Sequence, residues 1–395
     1  MSDLTSSRYP LLPAITAGFV AVLVGYTSSA AIIFQAVKAA GATDAQLGGW
    51  LTMLGIAMGI TSLGLSLRYK VPVLTAWSTP GAALLVTSLP GTTLNEAVGI
   101  FVFTSALTLF CAVTGLFARI MNLIPGAISS AMLAGILLRF GLEAFASFQF
   151  DLPLACVMCL TWLLARRWQP RYAILLTLVA GLVTACAQGR FGGALPAIHI
   201  AWPVWTTPHF TLASLLSIGL PYFLVTLASQ NAPGIATLNA FNYAAPTSSL
   251  MGWTSLTSLL LAPLGGFSVC IAAITAAICM GPDVHPDKRQ RWQAAAAAGC
   301  FYLLAGLFGG AIGLLFTLMP ATLIHLIAGL ALLNTIGSSL QQALENVQQR
   351  DAALVTFLVT ASGLTLAGMG AAFWGLLAGM ICWIAQRKNV TTLTK

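Results

Sequence analysis

The residues of this chain that can do chemistry are polar groups set inside apolar runs. Tyr26-Thr27-Ser28-Ser29 interrupts one run and Trp77-Ser78-Thr79 a second. Ser229-Gln230-Asn231 interrupts a third, and Ser268, followed by Val269 and Cys270, a fourth. Hydroxyls and amides in hydrocarbon are costly unless they find a partner or a ligand. Helix–helix hydrogen bonds account for part of such a set, since Ser, Thr and Asn bond across membrane helices. The chemistry left to the rest is recognition of a small molecule. There is no His-Glu-x-x-His, no Gly-x-Ser-x-Gly and no pair of intramembrane acids, so an enzyme is not expected, nor a metal or other cofactor. His325 is the one imidazole inside a span and is a candidate for proton coupling, against the plainer reading of a packed histidine. The nine acids fall at span starts, in loops or in a local pair, Arg139 with Glu143, so no buried carboxylate offers itself as a proton carrier.

Two broken segments must position these groups. Val71–Leu85 is apolar enough for a bilayer interior, yet it carries two prolines and Trp77-Ser78-Thr79. Val73 to Trp77 read as an extended piece. Thr79 then suits an N-cap, with Pro80 at the first helical position and Gly81 onward helical. Ala262–Ala273 repeats the pattern 191 residues later, counted from Pro72 to Pro263, with a helix expected to start at Ser268-Val269-Cys270. A helix that begins in mid-membrane directs unpaired N–H groups and a positive dipole end into the protein. Paired broken segments in two halves of a chain point to a transporter site. The site is therefore expected where they face each other. Its residues are Tyr26, Ser28 and Ser29 of the first span, Trp77, Ser78, Thr79 and Gly81 of the third, Gln230 and Asn231 of the eighth, and Ser268, Val269 and Cys270 of the tenth. Two helix N-termini favour an anion, each by up to about 2 kcal/mol. A flat apolar body with one carboxylate fits, with Trp77 and Tyr26 as walls.

Composition places these segments in a membrane. Of 395 residues, 58% are hydrophobic and 7% charged, far below the roughly 25% charge of soluble domains. Spans are expected near 11–38, 46–67, 71–89, 94–118, 123–143, 152–168, 172–189, 210–240, 247–263, 265–280, 289–317, 319–343, 351–366 and 368–386. Thr43-x-x-Gln46, Thr93-x-x-Glu96 and Asp287-x-x-Gln290 read as capping boxes. Fourteen spans with the N-terminus inside leave only Lys38, Arg139 and Arg190 of the 17 basic residues outside. That bias puts both termini in the cytoplasm and explains the net charge of +8 without nucleic acid. The eight cysteines fall in apolar runs and read as small core residues. The loop 190–209, with His199, joins the two halves.

The halves repeat. Phe19–Val24 resembles Tyr222–Leu227, and Gly49-Trp50 resembles Gly252-Trp253 at an offset of 203. Seven spans separate the copies, an odd number, so the repeats are expected to be inverted. The fold class is an all-α polytopic membrane protein of fourteen spans in two inverted seven-span repeats, with short extended pieces in spans 3 and 10.

Pro72–Gly81, Ala228–Gly234 and Ala272–Cys279 carry a family resemblance, joined by His285-Pro286-Asp287-Lys288, Gln290-Arg291-Trp292 and Thr360-Ala361-Ser362-Gly363. On these residues the chain resembles the benzoate/proton symporter family, which is similar in fold to the uracil and xanthine transporters. The resemblance implies a core domain of spans 1–4 and 8–11 (1–122 and 210–318) and a gate domain of spans 5–7 and 12–14 (123–209 and 319–395). It implies elevator-type import of benzoate or a similar aromatic carboxylate with protons across a bacterial inner membrane. Where the nucleobase relatives have acidic ligands in spans 8 and 10, this chain has Gln230, Asn231 and Ser268-Val269-Cys270. That departure fits a carboxylate, which an acid would repel. Other small anions, a nucleobase or an anion channel are the rival readings. The oligomeric state is open, a homodimer included.

Overall fold

Two helix starts form as their local sequences dictate. In the computed structural model, which describes residues 11–117, 119, 125–190, 201–367 and 369–392, Thr43 and Thr93 each close a full capping box, with Gln46 and Glu96. These open α2 (Asp44–Tyr69) and α4 (Leu94–Thr114), which follow α1 (Leu12–Ala39). The third box is half formed. Asp287 accepts from Arg289 N and caps a short 3-10 turn, while Gln290 bonds Gln293 instead. The loop residues 191–200, His199 among them, and the ends bearing Arg8 and Lys395 lie outside the described residues.

Between α2 and α4 the chain forms β1 (Thr75–Trp77) and then α3 (Thr79–Ser88). The cap of α3 is Ser78, one residue earlier than expected: its Oγ accepts from Gly81 N at 3.0 Å. Helices α5 (Gly126–Ala146), α6 (Leu152–Trp168) and α7 (Ala173–Ala187) come next. Helix α8 runs from Leu212 to Ala240 and α9 from Thr247 to Leu261. Strand β2 (Val269–Ile271) leads to α10 (Ile274–Met280). The second broken segment thus differs from expectation. Ser268-Val269-Cys270 is not a helix start: Ser268 has φ of 55°, Val269 and Cys270 are in the strand, and the helix begins at Ile274 without a side-chain cap.

The remaining helices are α11 (Trp292–Leu307), α12 (Gly309–Leu318), α13 (Ala321–Glu345), α14 (Arg350–Ala361) and α15 (Ala371–Thr392). The stretch expected as one span over 289–317 is bent by 62° between α11 and α12. Among the described residues six helices are long and apolar enough to cross a membrane, with a seventh if the bent pair counts as one span. Helices α1 to α4 pack with α8 to α12: α2 on α11 and α12, α4 on α9, α1 on α11 and α10. Helix α5 packs on α13 and α14, α14 on α15, and α6 on α7. The likened tryptophans differ in setting, since Trp50 is fully buried and Trp253 is 55% exposed. Cys186 and Cys300 are exposed on the outside of the helices, while Cys111, Cys270 and Cys279 are buried.

The two strands pair antiparallel, Thr75 with Ile271, Ala76 with Cys270 and Trp77 with Val269. A two-stranded ribbon leaves two outer edges whose N–H groups need partners when buried. Every odd-numbered N–H on those edges goes to a side chain. Thr75 N donates to Ser62 Oγ and Trp77 N to Met58 Sδ, both on α2. Val269 N donates to Ser258 Oγ of α9, and Ile271 N to Asn231 Oδ1 of α8. Thr75 Oγ1 is bonded in turn to Thr61 and Ser62 at 2.6 and 2.8 Å. The ribbon is therefore sewn to three helices. Ser62→Ala leaves Thr75 N–H unpaired and is expected to destabilise the protein by about 1–3 kcal/mol, read as a lower melting temperature in detergent.

Helix α8 is wide in two places. Leu220 N bonds Leu215 O, and Ala232 N bonds Leu227 O, five residues back, so 215–219 and 227–231 are π-turns. Pro221 and Pro233 each stand two residues beyond such a turn. A proline ring clashes with the carbonyl four residues back, and the wider turn relieves it. The second π-turn also sets the direction of Gln230 and Asn231.

Candidate functional site

The expected site residues separate into two groups around the ribbon. In one group Trp77 is buried, and its indole N–H donates to Ser29 Oγ at 2.7 Å. The Tyr26 ring meets Trp77 edge-on at 4.8 Å and lies 6.0 Å from Tyr302, and its buried hydroxyl has no hydrogen-bond partner among the described residues. Ser29 donates to Gly25 O at 2.8 Å, so both capacities of its hydroxyl are in use. Ser28 donates to Gly25 O of its own helix. Trp77 is thus fixed by an indole hydrogen bond and an aromatic edge, with 3% of its surface exposed, which makes it a packed pillar.

In the other group Asn231, Ser268, Val269 and Cys270 line one cavity with Thr104, Ser105 and Thr108 of α4, Tyr222 and Thr226 of α8, and Ser255 and Ser258 of α9. About 20 Å³ of it is open to water-sized molecules, room for roughly one water and far too little for a ring. Asn231 uses its amide to hold β2: Oδ1 accepts from Ile271 N at 3.1 Å, and Nδ2 donates to Cys270 Sγ at 3.6 Å. It is a positioning residue for the strand. Gln230 beside it is half-buried and makes no side-chain hydrogen bond to a described residue, so its amide is available.

Ser78, Thr79 and Gly81 join the two groups. Ser78 N donates to Ser268 O at 3.1 Å, which ties the first broken segment to the second. Gly81 faces α8. A Cβ there would lie 2.7 Å from Cε2 of Tyr222 and 2.8 Å from Cγ2 of Thr226. The glycine is needed for close packing of α3 on α8. Of the first three helical positions Pro80 has no N–H and Gly81 N is capped, so Thr79 N–H is the donor that remains. The expected pair of bare helix ends is therefore reduced on the α3 side and shifted to Ile274 on the other. Ile274 itself is 75% exposed, so the start of α10 is open rather than packed.

Sequence reasoning missed the hydroxyls of α4 and α9. Thr104 and Thr108 stand one helical turn apart, as do Ser255 and Ser258, and that spacing was the available signal. It also missed Asp151, whose side chain is fully buried, caps α6 through Leu154 N and pairs with Arg190 at 2.7 Å. A buried carboxylate does exist, then, far along the chain from the ribbon and matched to a cation. Arg139 and Glu143 do pair, at 2.7 Å. His325 is not brought to the ribbon. It lines a groove with Glu143, Ala146, Ser147, Phe150, Ala321 and Thr322. His325→Ala is accordingly expected to retain concentrative uptake, measured with labelled substrate in proteoliposomes under an imposed pH gradient.

Comparison with known proteins places this architecture. Among solved structures it is similar in fold to SLC26A9, with a TM-score of 0.58 at 12% identity over 96% of this chain, which spans 66% of that protein. It is similar also to the transmembrane domain of a cyanobacterial bicarbonate transporter, BicA, with a TM-score of 0.57 at 13% identity, covering 95% of this chain and 97% of that one. At the level of sequence it is 58% identical over 372 residues to the inner membrane protein YdcO of Escherichia coli K12, covering 94% of this chain and 95% of that protein. It is 40% identical over 378 residues to a benzoate membrane transport protein of Acinetobacter baylyi, covering 95% and 96%. The family described as BenE, benzoate membrane transport protein, matches residues 10–385. The chain thus belongs to the benzoate membrane transport family, a family of membrane transporters and not of enzymes.

Proposed function

We propose that the protein imports benzoate or a similar aromatic carboxylate with protons across the bacterial inner membrane. The observation that carries this reading is the crossing itself. Two broken segments meet as a paired ribbon, and the cavity against it is lined by hydroxyls, an amide and a thiol, with no acidic side chain among its lining residues. Such a lining accepts a carboxylate that an acidic ligand would repel. Gln230, Thr79 N–H and the start of α10 supply further donors, and Ile274 and Ala76 supply apolar surface for the ring. The 40% identical relative named for benzoate supports the substrate class.

The same reading takes α1 to α4 with α8 to α12 as a core that moves against a gate of α5 to α7 with α13 to α15. The packing pattern supports that division, since α5, α13, α14 and α15 associate with one another. The antiparallel strands support inverted halves, and the reading takes fourteen spans and cytoplasmic termini with them. Because the cavity is too small for a ring, the ring stays at its border unless the cavity widens. Counterflow of labelled benzoate in proteoliposomes tests the proposal. A carrier concentrates label transiently against unlabelled benzoate inside. A channel equilibrates it without overshoot, and that result refutes the carrier.

A further inference from the structure

Tyr222 is a side chain of the polar cavity to which the sequence reading gives no role. It is 1% exposed, and its hydroxyl, which faces Ser268, has no hydrogen-bond partner of normal geometry among the described residues. Its ring is held in place. It lies 6.2 Å from Phe101, itself stacked on Phe267 at 4.5 Å, and it covers Gly81 of α3. The hydroxyl is therefore aimed by packing rather than by a bond of its own. A buried hydroxyl left unpaired costs about 1–3 kcal/mol, and such a group in a native protein calls for a ligand or a role.

The neighbouring hydroxyls define what that ligand must be. Thr226 Oγ1 donates to Phe223 O, Thr108 Oγ1 to Thr104 O, and Thr104 Oγ1 to Gly219 O. Their protons are committed to backbone carbonyls. Asn231 Nδ2 is turned to Cys270. Ser258 Oγ accepts from Val269 N, and Ser105, Ser255 and Ser268 keep hydroxyls that open on the cavity; the Tyr222 O–H is the one fully enclosed polar atom of this lining without a partner among the described residues. We propose that it donates a hydrogen bond to one oxygen of the substrate carboxylate, which makes Tyr222 a substrate-binding residue and selects substrates that carry an anionic acceptor. The cavity admits a group the size of one oxygen and excludes the ring, so one carboxylate oxygen enters it and the ring stays at its border. This assignment rests on the reading of the protein as an aromatic carboxylate transporter.

Tyr222→Phe removes the hydroxyl and keeps the ring that covers Gly81. Benzoate binding to the purified full chain in detergent, measured by calorimetry, together with the melting temperature without ligand, decides the matter. The expected result is a dissociation constant raised about ten- to a hundredfold, as for a lost hydrogen bond to a charged group, with the ligand-free melting temperature unchanged or higher. Equal affinity in the two proteins overturns the assignment of Tyr222 alone. A lower melting temperature for the variant also overturns it, because the hydroxyl would then have a partner within the protein. Absence of benzoate binding by the wild type overturns the transporter reading as well.

Discussion

Gly81→Val is expected to abolish benzoate binding and transport and to lower the melting temperature of the purified protein. Valine at this position meets Tyr222, Thr226 and the Oγ of Ser78, the last 2.9 Å from the new Cβ. None of the three can yield cheaply. Tyr222 is packed against Phe101, Thr226 is bonded to Phe223 O, and Ser78 caps the very helix that carries the substitution. Overpacking of this kind costs about 1–3 kcal/mol, and here it also pushes α3 from α8 and tilts Tyr222 out of the cavity. The protein should fold, being large and otherwise unchanged, but its crossing should be displaced. Circular dichroism melting and benzoate calorimetry on the same sample give both readings. A Gly81→Val variant with wild-type affinity would show that α3 and α8 need not approach so closely.

The second large effect separates two adjacent amides. Asn231→Ala strips the partner from Ile271 N–H and from Cys270 Sγ at once. A buried N–H left unpaired costs about 1–3 kcal/mol, so β2 should loosen, the melting temperature should fall and binding should be lost with it. Gln230→Ala breaks no bond within the described protein, so its melting temperature should stay at the wild-type value. Its benzoate affinity should drop about ten- to a hundredfold if the amide donates to the carboxylate. The pair of variants thus predicts opposite thermal behaviour from neighbouring residues of one π-turn. Equal melting temperatures for both would mean that Asn231 does not secure the strand.

These contrasts show which features were legible in the sequence. The capping boxes at Thr43 and Thr93 were readable because all their partners lie within four residues. The strand before α3 was readable because prolines and glycines bracket a β-prone run that helix propensity cannot explain. The start of α10 was misread for a physical reason. Ser268 looks like an N-cap, but it takes a left-handed conformation, and the chain beyond it is drawn into pairing with β1. That pairing is a contact between residues almost two hundred positions apart, which no local pattern encodes. The same holds for Asn231. Its composition and depth marked it as a ligand, whereas the edge of a strand from another segment claims it. Gly81 was singled out as a site residue, and the body that approaches it is α8. The hydroxyls of α4 and α9 and the Tyr222 ring become a cavity only when four elements are packed together.

The central claim is that this crossing carries an aromatic carboxylate together with protons. Accumulation of labelled benzoate in proteoliposomes under an imposed gradient, alkaline inside, tests it most directly. Accumulation above the external concentration is predicted, abolished by an uncoupler, competed by unlabelled benzoate and untouched by uracil. Uptake that merely equilibrates, or that uracil suppresses while benzoate does not, would contradict it.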